Sequence, residues 1–142
     1  MLARPDHEKI VRLRNTGEVN AWLATFPMGT APAKGTRPND PRAKEAISRY
    51  RTLESFREAS LIEVQLTTGR RNQIRIQAGL RGYPLVGEQR YVFDPRPARP
   101  IPFGRQALHA FRLSFRHPDD DRPLTFESPI PSDMLDLLAR LR

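Results

Sequence analysis

Near the middle of the chain the sequence reads Thr68-Gly69-Arg70-Arg71-Asn72-Gln73-Ile74-Arg75. The run before it, Leu61–Leu66, alternates apolar and polar residues, which predicts a strand that ends at the Thr-Gly turn. Three arginines and two side-chain amides then fall within six residues, and arginine suits bidentate contact with a phosphate or a carboxylate. The residues alone leave two interpretations open: a site that holds an anion, or a solvated turn at a strand end.

The composition excludes several classes of protein. At 142 residues the chain is long enough for one domain of ordinary size. It has no cysteine, which excludes disulfides and thiolate metal sites, and no histidine or carboxylate cluster lies at ligand spacing, so we expect no metal. No apolar run approaches the roughly 20 residues of a membrane span or forms a signal-peptide core, which predicts a soluble cytoplasmic protein without a membrane partner.

The charge of the chain favours nucleic acid as its partner. The formal net charge is +8, and 3 of the 24 basic residues are lysines while the rest are arginines. Arginine pairs with phosphate and stacks on bases, so this bias indicates nucleic-acid binding. A high genomic GC content also raises arginine over lysine, and composition does not separate the two explanations.

The segment Ala43–Glu54 alternates in polarity and predicts a second strand, which pairs with Leu61–Leu66 as an antiparallel hairpin through the polar link Ser55–Ser60. Before this hairpin we expect a frayed start, two short strands, a turn and a proline-rich loop. These are Met1–Lys9, the strands Ile10–Arg14 and Val19–Phe26, the turn Asn15–Gly17, and Pro27–Pro41.

Two helices are predicted. Gln73–Arg81 fits both a strand and a helix by period, and the glycines near its end favour a short helix with a glycine stop. Near the C-terminus Met134, Leu137, Leu138 and Leu141 repeat at helical spacing, and Ser132 or Asp133 is the expected N-cap.

Between the helices, Gln106–Arg116 has the most regular strand pattern. One of its faces should pack on a core and the other should present Arg112 and Arg116. Leu124–Phe126 is predicted as a short return strand, and Asp94–Pro102 as a loop because its prolines prevent a ladder. His109 falls on the apolar face, where a core histidine is a more frequent occurrence than a catalytic one.

Four ordered segments resemble motifs of one enzyme family. Leu66–Arg75 resembles the Leu-x-Thr-Gly-Arg-x-His/Asn-Gln-Ile-Arg signature of the RluA-type RNA pseudouridine synthases. Gly82–Tyr91 resembles their Gly-His-Pro-Leu-x-Gly-Asp-x-x-Tyr corner, Arg105–Ala110 their Arg-x-x-Leu-His-Ala strand, and Phe126–Pro131 the segment that closes the domain. The resemblance runs from about Ala43 to the C-terminus, whereas residues 1–42 match poorly.

This resemblance implies an α+β catalytic domain with a mixed, largely antiparallel sheet and short helices. It also implies conversion of uridine to pseudouridine in ribosomal or transfer RNA, without a cofactor. The family's catalytic group is an aspartate in a His-Arg-Leu-Asp motif, and the arginine that pairs with it corresponds to Arg75. Further residues are expected to contact RNA: Arg70, Arg71, Asn72, Gln73, Arg112 and Arg116.

The departures from the family pattern are specific. Neither His-Arg-Leu-Asp nor the family's Lys-x-Tyr-x-Ala segment occurs in the sequence, and Tyr83 and Glu88 replace the usual His and Asp of the corner. We therefore interpret residues 1–142 as a single partial domain, the C-terminal half of a synthase. Such a half should be inactive alone and should need a separate N-terminal half that carries the aspartate, or self-associate. The alternative is a non-catalytic basic RNA-binding module on the same scaffold.

A half-domain has structural consequences. Strand edges should be left open, and two apolar faces should lose part of their cover: Ile62, Val64 and Leu66, and Phe111, Leu113 and Phe115. Arg75, without the aspartate, should be exposed or should pair with another acid.

Overall fold

The computed structural model describes residues 2–3, 16–24, 41, 43–93 and 100–142. The chain divides into two units, Met1–Ala107 and Leu108–Arg142. Within the described residues the first unit contains β1 to β4 and α1, and the second contains β5, β6 and α2. Their bounds are Leu2–Ala3 (β1), Thr16–Ala24 (β2), Ala43–Ser55 (β3), Ser60–Leu66 (β4), Gln73–Leu80 (α1), Arg112–Arg116 (β5), Pro123–Glu127 (β6) and Ser132–Leu141 (α2).

The predicted hairpin is confirmed as the centre of the first unit. β3 and β4 pair antiparallel from Ser48 opposite Leu66 to Ser55 opposite Ser60, with a bulge between Thr52 and Glu54. Alternation along β3 buries Ala46 and Ser48 on one face and exposes arginines on the other. Period-2 patterning thus determined which face of the strand is covered.

The N-terminal segment joins the same sheet, in the strand order β1-β4-β3-β2. β2 runs antiparallel along β3 from Thr16 opposite Arg51 to Ala24 opposite Ala43, and β1 pairs with the start of β4. β3 therefore has a partner on each side, and the expected open edge does not occur there. Of the apolar face of β4, Ile62 is buried and Leu66 is half-exposed.

This pairing corrects the N-terminal predictions. Thr16 and Gly17 lie in a strand and not in a turn, because their backbone groups pair with β3. The strand predicted at Val19–Phe26 is confirmed as far as Ala24. Leu2 and Ala3 belong to a strand, in contrast to the frayed start that their polar surroundings predicted. The Ile10–Arg14 strand, most of the Pro27–Pro41 loop and residues 94–99 lie outside the described residues.

The helical interpretation of residues 73–81 is confirmed by α1. Ile76 packs in a cluster with Ala46 of β3, Tyr91 and Phe93, which attaches the helix to the sheet. Gly79 is the contact point, since a Cβ there would meet the Tyr91 carbonyl. The chain leaves the helix through Gly82 in the left-handed region, with φ 80°, as the glycine stop predicted.

The corner after α1 is tight because Gly87 allows a close backbone approach. Its φ is 79°, and a Cβ at this position would meet the Arg105 carbonyl. The Ala107 amide donates to the Val86 carbonyl at 2.8 Å, and Leu85 and Val86 are buried. Glu88, which follows directly, is thereby fixed in position.

In the second unit the long strand predicted at Gln106–Arg116 is wrong for its first half. Within residues 106–116 the strand covers Arg112–Arg116, because residues before Arg112 would lie opposite Ser128 and Pro129, just beyond the end of β6. Proline lacks an amide donor, so the ladder is limited to five residues. The return strand itself is confirmed.

The face of β5 that was expected to pack on a core is exposed. Leu113 and Phe115 on β5 and Phe126 on β6 are 61%, 44% and 56% exposed. Phe115 and Phe126 stack on one another across the ribbon, with ring centroids 5.9 Å apart. A two-stranded ribbon provides no second layer to cover both of its faces, which is why the alternation of β5 does not translate into burial.

The C-terminal helix is confirmed as α2, with Met134, Leu137 and Leu138 buried as its periodicity predicted. The expected cap is not: Pro131 occupies the N-cap position and no side chain caps the helix. Asp133 instead lies in the first turn, where its carboxylate accepts from the Met134 amide at 2.8 Å. Its negative charge interacts favourably with the positive N-terminal end of the helix dipole. No helix among the described residues is long and apolar enough to cross a membrane.

Candidate functional site

The side-chain amide of Gln73 is buried and links the arginine-rich turn between β4 and α1 to the sheet, beside a bond from the Ile47 amide to Thr68 Oγ1. Its Nε2 donates to the Ile47 carbonyl at 3.1 Å and to Ser48 Oγ at 2.9 Å. Its Oε1 accepts from Thr68 Oγ1 at 2.8 Å and from the Arg70 amide at 2.9 Å. All the hydrogen-bonding capacity of the amide is used within the protein. Gln73 therefore acts as a structural connection, and its contact with RNA stays a prediction.

A second glutamine repeats this arrangement one turn later. Gln77 is buried, its Nε2 donates to the Ala46 carbonyl at 2.9 Å, and its Oε1 accepts from Ser48 Oγ at 2.6 Å. Residues four apart lie on one helical face, so both amides meet the backbone of β3. Helix α1 is consequently held in one rotation about its axis, and its opposite face is presented outward.

Asn72 sets the direction in which α1 leaves the turn. Its backbone is left-handed, with φ 55° and ψ 22°, a conformation that asparagine tolerates better than most residues. Its side-chain Nδ2 donates to the Tyr91 hydroxyl at 3.0 Å. The asparagine thus links the start of the helix to the segment that follows the Gly87 corner.

Arg75 and Glu88 form the central ion pair of the site. Arg75 Nε donates to Glu88 Oε2 at 2.7 Å and Nη2 donates to Oε1 at 2.8 Å, which is a bidentate contact along one side of the guanidinium. The side chain of Glu88 is fully buried, whereas that of Arg75 is 20% exposed. Arg75 has therefore paired with another acid, one of the two outcomes expected for it, and part of its guanidinium still reaches the surface.

Tyr91 supports this pair from one side. The Arg75 Cζ lies 4.9 Å from the centre of the Tyr91 ring, and the Arg90 Cζ lies 5.6 Å from the same ring. Both are within the range of a cation–π interaction. Because the ring is buried and its hydroxyl is held by Asn72, it fixes the plane against which Arg75 rests.

The electrostatics of the pair keep both groups charged. Burial raises the pKa of Glu88, but the hydrogen bonds from Arg75 and from the Arg90 and Tyr91 amides outweigh it, so the net pKa lies below the usual value. The hydrogen bond to Glu88 raises the pKa of Arg75 above its ordinary value, although desolvation acts against it. At neutral pH the site is an ion pair without a titrating member.

The structure places the other predicted residues in two locations. Arg70 and Arg71 are exposed in the turn before α1, and Arg70 Nε donates to the Glu45 carbonyl at 3.1 Å. Arg112 and Arg116 are exposed on β5 in the second unit, each beside a carboxylate. Arg112 pairs with Glu127 at 3.0 Å, and Arg116 lies 3.5 Å from Asp121.

Sequence reasoning missed the roles of Glu88 and Tyr91. Both lie in the Gly82–Tyr91 corner motif, where Glu88 was noted only as a departure from the family's aspartate. One signal was available in the sequence: the motif that contains Arg75 is followed in the same family pattern by a corner motif that contains an acid, here Glu88. Among the described residues no group of acids and histidines could hold a metal ion.

Comparison with known proteins places the chain in a family. A family model described as RNA pseudouridylate synthase matches residues 10–79. The chain belongs to the RNA pseudouridylate synthase family. The match begins well before Ala43, so the N-terminal strand β2 is part of the family pattern, contrary to the expectation that residues 1–42 stand apart from it.

Curated members of the family resemble this chain along most of its length. It is 41% identical over 99 residues to a Bacillus subtilis protein named uncharacterized RNA pseudouridine synthase YlyB, which covers 70% of this chain and 31% of the relative. It is 36% identical over 126 residues to ribosomal large subunit pseudouridine synthase D of Salmonella typhimurium, covering 82% of this chain and 39% of the relative. The chain thus spans between 31% and 39% of the length of these relatives.

Solved structures of the family share the fold. Human RNA pseudouridylate synthase domain containing 4 superposes with a TM-score of 0.69 at 18% identity, over 99% of this chain and 59% of that one. Human RNA pseudouridylate synthase domain containing 1 gives a TM-score of 0.64 at 19% identity, over 90% and 51%. The expected α+β fold with antiparallel sheets is confirmed.

Proposed function

We propose that this chain is the C-terminal part of the catalytic domain of an RluA-type RNA pseudouridine synthase. It supplies the arginine side of the active site, through Arg75, to a reaction that converts uridine to pseudouridine in ribosomal or transfer RNA of the cytoplasm. The aspartate side comes from a segment that carries His-Arg-Leu-Asp, in cis or in trans. On its own the chain has no synthase activity.

One observation carries this proposal: the arginine of the family signature is preserved, positioned and partly accessible. Arg75 lies in the first turn of α1, and that helix is fixed against β3 by Gln73 and Gln77. Its guanidinium is charged, oriented by Glu88 and 20% exposed. An arginine that only stabilised the fold would not need to remain in a signature turn with an accessible guanidinium edge.

The chemistry requires a positioned carboxylate. In the isomerisation the bond between ribose C1′ and uracil N1 breaks, the uracil rotates, and C1′ bonds to C5. The hydrogen of C5 leaves as a proton and N1 gains one. The target base must first leave its stack and enter a pocket. A guanidinium at hydrogen-bond distance keeps an aspartate ionised and oriented for its part in this sequence, which is the role we assign to Arg75.

The charged surface supports RNA as the substrate. Arg70 and Arg71 are exposed beside the site, and phosphate contacts by such residues supply affinity without sequence information. Arg112 and Arg116 are already paired with carboxylates, but exposed pairs of this kind contribute only about 0–1 kcal/mol and yield readily to a phosphate.

The test is release of tritium from RNA labelled at uridine carbon 5. The full chain alone should release no more than a no-enzyme control. The same chain mixed or fused with the N-terminal half of a relative that bears His-Arg-Leu-Asp should release tritium in proportion to time. Activity of the chain alone would contradict the division of the active site that we propose.

A second candidate function is a non-catalytic RNA-binding module. It is favoured by the absence of His-Arg-Leu-Asp from the 142 residues together with the net charge of +8. Complementation separates the two candidates. A chain that binds RNA but yields no activity with any N-terminal half would be a binding module.

A further inference from the structure

The guanidinium of Arg75 has a donor edge that its ion pair does not use. A guanidinium carries five N–H donors in a fixed plane. Glu88 occupies the side formed by Nε and Nη2, at 2.7 and 2.8 Å. Among the described residues the contact of Nη1 is with Asn72 Oδ1 at 3.4 Å, which is long for a hydrogen bond to nitrogen. The end of the guanidinium, formed by Nη1 and the second N–H of Nη2, therefore has donors available.

The geometry points to Arg75 as a residue that binds two carboxylates at once. Glu88 holds the side edge permanently, and a second carboxylate binds end-on through Nη1 and Nη2. Glu88 is thus a positioning residue, which acts on the second carboxylate only through Arg75. The identification of that carboxylate with the family's aspartate rests on the proposed function, whereas the free edge and its occupation by a carboxylate do not.

Glu88 is built to stay in place when a second anion arrives. Its side chain is fully buried, and its Oε1 also accepts from the Arg90 amide at 2.9 Å and the Tyr91 amide at 3.3 Å. Displacing it would leave a charged carboxylate buried with only backbone partners, which is strongly unfavourable.

The surroundings of Arg75 suit an anion. Arg75 and Arg90 both place a guanidinium against the Tyr91 ring, at 4.9 and 5.6 Å from its centre. The partial burial of Arg75 strengthens a short contact with a small planar anion. A carboxylate matches the two parallel donors and fits a guanidinium that is only 20% exposed, whereas a phosphodiester is bulkier and needs a more open surface.

The direct test observes the guanidinium groups of the full chain by nitrogen-15 NMR during titration with sodium acetate, at constant ionic strength set by sodium chloride. We expect the Arg75 Nη signals to shift saturably while its Nε–H signal stays protected and unshifted. Arg57, exposed in the β3–β4 link, is the internal control and should respond to acetate no more than to chloride.

Two results of the titration would overturn the inference. A shift of the Nε–H signal with loss of its protection would mean that acetate displaces Glu88. Nη signals that respond equally to acetate and chloride would mean that the end edge is closed. A parallel titration with dimethyl phosphate decides the ligand class, since tighter binding than acetate would make an RNA phosphate the ligand.

Two variants test Glu88 as the positioning residue. In Glu88→Gln the Nε–H signal should lose its protection, and the affinity for acetate should fall by about tenfold or more, the scale on which groups that orient a ligating side chain act. Glu88→Asp keeps the carboxylate and should recover most of both properties. A folded Glu88→Gln protein with unchanged acetate binding would refute the assignment. If that variant does not fold, the wild-type titration still decides whether Arg75 binds a second carboxylate while it keeps its contact with Glu88. These outcomes do not depend on synthase activity, so failure here is distinct from failure of the proposed function.

Discussion

Replacement of Gln73 by methionine removes the buried side-chain link between the arginine-rich turn and β3 while nearly preserving side-chain volume. The backbone bonds from Thr67 and Thr68 to the Ile47 carbonyl, and the bond from the Ile47 amide to Thr68 Oγ1, remain. Four hydrogen bonds are lost, to Ile47, Ser48, Thr68 and Arg70. The Ile47 carbonyl keeps the Thr67 and Thr68 amides, and Ser48 Oγ keeps Gln77, so two of the four partners remain satisfied. The Thr68 hydroxyl still accepts from the Ile47 amide, and Arg70 is exposed, so neither is left as a buried group without a partner. The loss is therefore the net contribution of the bonds themselves, about 0.5–1.5 kcal/mol each.

We therefore expect Gln73→Met to lower the free energy of unfolding by about 2–4 kcal/mol, a large part of the 5–15 kcal/mol typical of a domain. Urea unfolding followed by far-ultraviolet circular dichroism measures this free energy. Gln65→Met, an exposed glutamine on β4, is the matched control and should change stability by less than about 0.5 kcal/mol. Equal effects of the two substitutions would refute the structural role of Gln73.

Three further predictions follow from the ion pairs and the exposed ribbon. The folded-state pKa of Glu88 is lowered, so its contribution to stability is present above its unfolded pKa of about 4.3 and is lost as pH falls through the folded value. In urea unfolding, the difference in the free energy of unfolding between wild type and Glu88→Gln should accordingly be constant from about pH 5 to 8 and should shrink below about pH 4. A difference that grows on acidification would contradict the lowered pKa. If Arg112 contacts phosphate, Arg112→Gln should lower the slope of the logarithm of RNA affinity against the logarithm of salt concentration by about one unit. Glu127→Gln, which removes the carboxylate partner of Arg112, should strengthen binding at low salt. Identical slopes for wild type and both variants would show that β5 does not contact RNA. Phe126→Thr removes the more exposed of the two stacked rings of the ribbon and should reduce self-association in sedimentation experiments. Because Phe126 is 56% exposed, the loss of stability should be below about 1 kcal/mol. Undiminished self-association would mean that another surface is responsible.

The hairpin and both helices could be predicted because their signals are local. Alternation in Ala43–Glu54 reports which face is covered, and the spacing of Met134, Leu137 and Leu138 reports a helical stripe. The extent of β5 was not predictable in this way. Its length depends on which residues of the partner segment can pair with it, and Pro129, distant in sequence, lies where the first half of the predicted strand would need a partner.

For the candidate site, the sequence predicted Arg75 but not its partner Glu88. Arg75 is identified by a signature that is continuous in sequence, but the burial of Glu88 depends on the Gly87 corner and on the contact between Gly79 and the Tyr91 carbonyl. The structural role of Gln73 was not visible in the sequence either. A polar residue between arginines looks exposed in the sequence, yet its amide is the most fully bonded group of the turn.

We propose that Arg75 completes an active site whose aspartate lies on another segment. The most direct measurement is the rate of tritium release by the complemented enzyme with Arg75→Met, compared with Arg57→Met, which makes the same change of charge at an exposed position of the β3–β4 link. We expect Arg75→Met to lower the rate by about 10²–10³, the range for removal of one preorganised electrostatic group, with Arg57→Met unchanged. Full activity of a folded Arg75→Met enzyme would contradict the account.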